Sequence, residues 1–162
     1  MISKDQQDDD FSFTKISTGF IVYICTSGVI MYLTIDTSAL ISVIGNEQSK
    51  ARIIEITQNY SLYAPISVHW EIGNAFSAMF KRKTINLELA KLALKSYQEI
   101  PIKFIEIQLE QTLELSHSLN IYAYDAYLLQ CAQQTSTPLL TLDNSLKSVA
   151  KNIGIQVLEV LQ

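Results

Sequence analysis

Four carboxylates occupy positions where a carboxylate is costly or conspicuous. Asp36 closes the apolar run MYLTI and Asp143 closes LLTL. At helical spacing Asp125 shares a face with Leu128, Leu129 and Ala132, and Glu71 lies on a strip of small residues with Ser67, Asn74, Ala75 and Ala78. An acid at the edge of an apolar face is expensive unless a cation meets it. Four acids brought together would repel one another and resist ionising at once. A divalent cation relieves that conflict, and Mg2+ or Mn2+ prefers oxygen ligands and keeps several waters. Such a centre suits phosphodiester hydrolysis. The ion polarises a phosphoryl oxygen and generates a hydroxide-like nucleophile, and a second ion ~4 Å away would steady the leaving oxygen. Each acid also has a plainer reading. Asp36 and Asp143 are placed to cap the helix that follows, and Glu71 alone is an ordinary, partly exposed helix acid. Glu47, Glu55, Glu88, Glu99, Glu110 and Glu114 fall among polar neighbours and are read as solvated faces.

The elements that must position these acids follow from the apolar pattern. Five short runs read as strands: YLTI (32–35), SLYAP (61–65), IKFIEI (102–107), PLLTL (138–142) and IQVLEV (155–160). Helical periodicity fills the intervals. TSALISVIG and EQSKARIIEITQN follow the first strand. Ser67 is placed to cap SVHWEIGNAFSAMFKRK, which carries Val68, Ile72, Ala75, Phe76 and Met79 on one stripe. Helices over 87–100, 109–120, 122–135 and 143–154 complete the set. Pro101 stops the first of these and Gly154 closes the last. Short, continuously apolar strands separated by helices imply a parallel sheet covered on both faces, hence a three-layer α/β domain. In such sheets ligands gather at the carboxyl ends of the strands, where Asp36 and Asp143 fall.

A chain of 162 residues, 48% apolar and 17% charged, is long enough for one core and excludes disordered or fibrous classes. Cys25 and Cys131 form neither a disulfide framework nor a zinc spacing and are read as buried apolar residues in a reducing compartment. The net charge of −4 does not exclude nucleic acid. From Met31 onward there are 10 basic and 12 acidic side chains, so four metal-bound acids would leave 10 basic against 8 acidic groups elsewhere. The first thirty residues differ from the rest: MISKDQQDDDFSFTK is polar and acidic, and ISTGFIVYICTSGVI is uncharged and apolar. Since 32–35 is needed as a core strand, the apolar part is only fifteen residues long. That is too short to cross ~30 Å at ~1.5 Å per residue, and the preceding acids do not suit a secretory signal. Residues 1–30 are therefore read as an extension: upstream sequence from a mis-called start, an unstructured segment, or a peripheral anchor. The domain proper spans 31–162.

Read together, IDTSAL with Asp36, WEIGNAF with Glu71, YDAYLLQCAQ with Asp125 and the TLD of LLTLDNSL with Asp143 resemble a PIN-domain protein of the VapC toxin type. The resemblance covers about 130 residues, and nothing in residues 1–30 belongs to it. It implies a five-stranded parallel sheet in an α/β/α sandwich and an Mg2+- or Mn2+-dependent endoribonuclease with Asp36, Glu71, Asp125 and Asp143 as its acidic metal site. It makes Ser38 and Thr141 the hydroxyls that orient carboxylates or water. It further implies a cytoplasmic homodimer inhibited by a cognate antitoxin, with structured RNA as substrate.

For the RNA backbone the candidates are Lys81, Arg82 and Lys83, the only dense basic run, and Lys147 with Lys151. Cations at a helix C-terminus are the plainer reading of the first group. His69 and His117 have no partner at metal-ligand spacing. Trp70, Tyr122, Tyr124 and Tyr127 could stack bases, but beside core leucines they are read first as packing or dimer residues. Two other functions compete with the nuclease. One is a non-catalytic PIN-like module that binds RNA or protein, its acids serving only as caps. The other is a phosphatase or receiver domain using Asp36 as nucleophile or phosphoacceptor. Ser38 stands where such a phosphatase needs its second Asp, which counts against it.

Overall fold

The computed structural model describes residues 31–160. The expected extension over 1–30 lies outside the described residues. The elements run β1 (Met31–Ile35), α1 (Thr37–Ile44), α2 (Lys50–Thr57), β2 (Tyr60–Pro65), α3 (Val68–Lys81), α4 (Leu87–Gln98), β3 (Ile102–Ile105), α5 (Leu109–Leu119), α6 (Ala123–Thr135), β4 (Leu139–Leu140) and α7 (Asn144–Asn152). Among the described residues no helix is long and apolar enough to cross a membrane.

All strand pairings are parallel, in the order β3-β2-β1-β4. Both faces of the sheet are covered. On β1 the Thr34 side chain meets Cys131 of α6 and the Thr137 hydroxyl, the latter at 2.7 Å. Its neighbours Leu33 and Ile35 point to the opposite face and are also buried, at 0% and 2% exposure. The core continues through Leu40, Ile53, Val68, Ile72, Leu128 and Leu129. This is the three-layer α/β arrangement expected from the sequence.

The sheet has four strands, not five. Residues 155–160 run beside β4 but make a single parallel bridge, Val157 to Leu139. Leu139 donates to the Gln156 carbonyl at 2.8 Å and accepts from Leu158 at 2.9 Å. The partner edge explains the shortfall, because β4 is only two residues long and offers no ladder to extend. β4 is short because the chain leaves the sheet after Leu140, where Thr141 turns to bond Asp36. The third strand likewise ends at Ile105 rather than residue 107. At the close of α7, Gly154 adopts φ +80°, a left-handed conformation that L side chains rarely take.

Candidate active site at the carboxyl edge of the sheet

Strand order and register create the site. β1 pairs with β2 on one side and β4 on the other, so the chain reverses direction across the sheet at β1. In α/β sheets that reversal opens a crevice beyond the strand ends. Ile35 lies opposite Leu140, and the Asp36 amide donates to the Leu140 carbonyl at 3.0 Å. The next residue on each strand is therefore Asp36 against Thr141. The Thr141 hydroxyl, fully buried, donates to Asp36 Oδ2 at 2.6 Å. Ser38 Oγ donates to the same oxygen at 2.5 Å and accepts the Leu142 amide at 2.9 Å. Ser38 and Thr141, which the resemblance made orienting hydroxyls beside Asp36 and Asp143, both bond Asp36.

Asp36 is 5% exposed and makes no capping bond to α1, so the helix-cap reading fails for it. Burial pushes its pKa up, against the pull of the Ser38 and Thr141 hydroxyls. Glu71 sits in the first turn of α3, half-buried. Thr37 Oγ1 donates to its Oε2 at 3.0 Å and Ser67 Oγ to its Oε1 at 3.2 Å. Its pKa is pushed up to about 7, first by burial and further by the like charges of Asp36 and Asp125, while the Thr37 and Ser67 hydroxyls oppose the shift. Thr37 and Ser67 are contacts that sequence reading missed. Ser67 was expected to cap α3, but its side chain makes no cap bond and turns to the carboxylate instead. A hydroxyl directly after a strand-end acid was the available signal for Thr37.

Asp125 opens α6 beside buried Leu128, Leu129 and Ala132, as its periodicity required. Burial raises its pKa, and Asp143 and Asp36 raise it further. Asp143 is exposed, and its Oδ1 caps α7 by accepting the Ser145 and Leu146 amides at 2.7 and 3.1 Å. The capping reading therefore holds for Asp143, and its other oxygen makes no such bond. The four acids form one electrostatic group: Glu71 senses Asp36 and Asp125, and Asp125 senses Asp36 and Asp143. Among the described residues no ion pair involves any of them. Nor, among the described residues, do three or more His, Cys, Asp or Glu side chains stand together as they would need to in order to hold a metal ion. The donor set nonetheless fits a hard cation. It is all oxygen, and in Asp36, Glu71 and Asp125 burial disfavours the charged form, which a cation that prefers oxygen ligands and keeps several waters would restore.

The basic run Lys81–Lys83 stands apart from the acids. Lys81 lies ten residues along α3 from Glu71, about 15 Å of helix, and Arg82 and Lys83 follow it. All three are exposed, at the end of α3 where cations offset the helix dipole. Lys147 bonds Asn144 at 3.3 Å near Asp143, and Lys151 pairs with Glu159 at 2.5 Å. His117 is exposed, whereas the His69 Nδ1 lies 2.9 Å from the Tyr97 hydroxyl. Glu99, expected on a solvated face, is half-buried and its Oε2 is sealed without a partner. Cys131 is buried and free, and Cys25 lies outside the described residues. A cavity of about 390 Å³ between Tyr32, Tyr63, Pro101 and Lys103 lies at the starts of the strands, away from the acids.

The molecule is an α/β domain with carboxylates at the switch point of a parallel sheet. The chain belongs to the PIN domain family, whose model matches residues 33–152. The fold is shared with a crystal structure of PAE2754 from Pyrobaculum aerophilum, with TM-score 0.59 and 20% identity over 74% of this chain and 79% of that one. It is shared also with VapBC2 from Rickettsia felis bound to a DNA fragment from their promoter, with TM-score 0.58 and 18% identity over 80% of this chain and 98% of that one. Among curated proteins no relative matches the chain.

Proposed function

We propose that the protein is a divalent-metal-dependent endoribonuclease and the toxin of a toxin–antitoxin pair. The observation that carries the reading is the group of Asp36, Glu71, Asp125 and Asp143 at one sheet edge, with pKa values raised for the first three and, among the described residues, no cationic side chain paired with any of the four. The family membership supports it, since PIN domains are generally nucleases. The likeness to a VapBC2 complex supports an antitoxin partner.

In this reading those four acids hold Mg2+ or Mn2+. When bound, the ion supplies Lewis acidity toward a phosphodiester and lowers the pKa of water. The chain contributes orientation. Ser38 and Thr141 fix one oxygen of Asp36, and Thr37 and Ser67 fix both oxygens of Glu71. Lys147, close to Asp143, is the best-placed cation for the RNA backbone, with Lys81, Arg82 and Lys83 serving a more distant stretch. Residues 31–162 form the functional domain and residues 1–30 an extension. The active form is a homodimer in the cytoplasm, beside its RNA.

A non-catalytic PIN-like binding module is the second reading, and the helix cap made by Asp143 favours it. Isosteric variants separate the two. Asp36→Asn and Asp125→Asn should each abolish RNA cleavage while circular dichroism and melting temperature show an intact fold. RNA binding without cleavage by the wild type would leave only the binding module, and cleavage at the wild-type rate in both variants would take the two acids out of the chemistry.

A further inference from the structure

Trp70 is the only tryptophan of the chain, and it is 62% exposed. Indole is usually buried for its large apolar area, so its exposure on the stripe-bearing helix α3 needs a cause. The ring does not stand alone. Its neighbour His69 is held from beneath by the Tyr97 hydroxyl, and Tyr97 is itself only 4% exposed. The His69 ring lies 4.4 Å from Phe104 and 6.3 Å from Trp70, centroid to centroid. Together they make a ledge of rings whose middle member is pinned.

The position of the ledge relates it to the acids. His69, Trp70 and Glu71 share the first turn of α3, directly after β2. Glu71 turns toward α1, where Thr37 bonds it, and His69 turns toward β3, where Phe104 packs on it. The ledge therefore continues the carboxyl edge of the sheet from the acids toward β3. Two exposed tyrosines precede Asp125 in the chain: Tyr122, just before α6 and 86% exposed, and Tyr124, 41% exposed. Both acids that come from helices thus have an exposed aromatic residue beside them in the chain.

We propose that Trp70, backed by His69 and Phe104, is a stacking rest for an unpaired nucleobase next to the scissile phosphodiester, with Tyr122 and Tyr124 receiving the strand on the other side of the acids. The inference rests on the ribonuclease reading. Every base offers a π-face, so stacking holds a strand without reading its sequence. The bases of an A-form duplex are stacked on one another and closed to such rings, so the ledge selects unpaired segments. Trp70 acts as a positioning residue: it holds the strand and does not touch the reacting atoms.

Its fluorescence reports on the ledge directly. The full chain carrying Asp36→Asn is titrated with a single-stranded RNA oligonucleotide and with the same sequence as a duplex. Steady-state cleavage of the single strand is measured for the wild type, Trp70→Leu and Trp70→Phe. Stacking predicts quenching by the single strand and little by the duplex. It predicts a KM about tenfold higher for Trp70→Leu with kcat changed by less than about threefold, and recovery of most of the loss in Trp70→Phe. No quenching, or an unaltered KM in Trp70→Leu, overturns the proposal. So does a Trp70→Leu effect confined to self-association, which would make the ledge a protein interface. Quenching by a chain whose wild type cleaves no RNA would sink the ribonuclease reading and leave the ledge standing. Cleavage without quenching would do the reverse.

Discussion

At the scale of single residues the site is a contest between burial and hydrogen bonding. Asp36 is nearly sealed from water, which favours its neutral form, yet two hydroxyls bond one of its oxygens and favour the charged one. Thr141 is the more informative of the two, because it is itself fully buried and reaches Asp36 from the neighbouring strand. Thr141→Val keeps shape and burial and removes only that bond. Cleavage should fall about 10- to 100-fold, the usual cost of losing an orienting partner, with the protein still folded. An undiminished rate would show that Thr141 does not position the carboxylate. Asp36 and Asp125 were legible in the sequence, since each interrupts an apolar pattern and burial raises the pKa of both, whereas Asp143 is exposed and caps α7, as its plainer reading had it. Their hydroxyl partners were half legible. Ser38 and Thr141 adjoin acids, whereas the Thr37–Glu71 bond spans 34 residues and exists only once β1 and β2 pair. Of the two roles read first for Trp70, packing and dimer contact, its exposure removes the first, because its ring lies outside the buried arc that Val68, Ile72 and Phe76 define.

At the scale of elements, α3 is the piece whose placement carries most of the electrostatics. Its first turn buries Glu71 and sets it against Asp36 and Asp125, and burial first and those like charges second raise the pKa from an ordinary 4.5 to about 7. Between those values the folded protein holds more protons than the unfolded chain, so rising pH removes stability across that window. In the metal-free protein, wild type should therefore lose ground to Glu71→Gln between about pH 5 and about pH 8, as measured by denaturant midpoints in EDTA. Mg2+ at the higher pH should return stability to the wild type and not to the variant. A difference that stays constant with pH would mean Glu71 ionises as freely folded as unfolded. Strands and helices were largely legible from periodicity, including the helix pair around Asn120 and the stop before Pro101. The fifth strand was not. IQVLEV has the composition of a strand, but a strand needs a partner edge, and β4 supplies one residue of it. Composition reports what a segment prefers, and the neighbouring chain decides whether a ladder forms.

At the scale of the whole molecule, the parallel sheet does one thing for function: it delivers residues distant in sequence to a single edge. Asp36 and Thr141 are 105 residues apart and share a hydrogen bond because β1 and β4 are adjacent. The central claim is that this edge uses a divalent cation to cut RNA. The direct measurement is cleavage of total RNA by purified protein, first in EDTA and then with Mg2+ or Mn2+ restored, with the cut ends mapped. The account predicts no cleavage in EDTA, cleavage at defined internal positions once either ion is returned, and no rescue of Asp36→Asn by either. Full cleavage in EDTA, or cleavage by Asp36→Asn equal to the wild type, would contradict it.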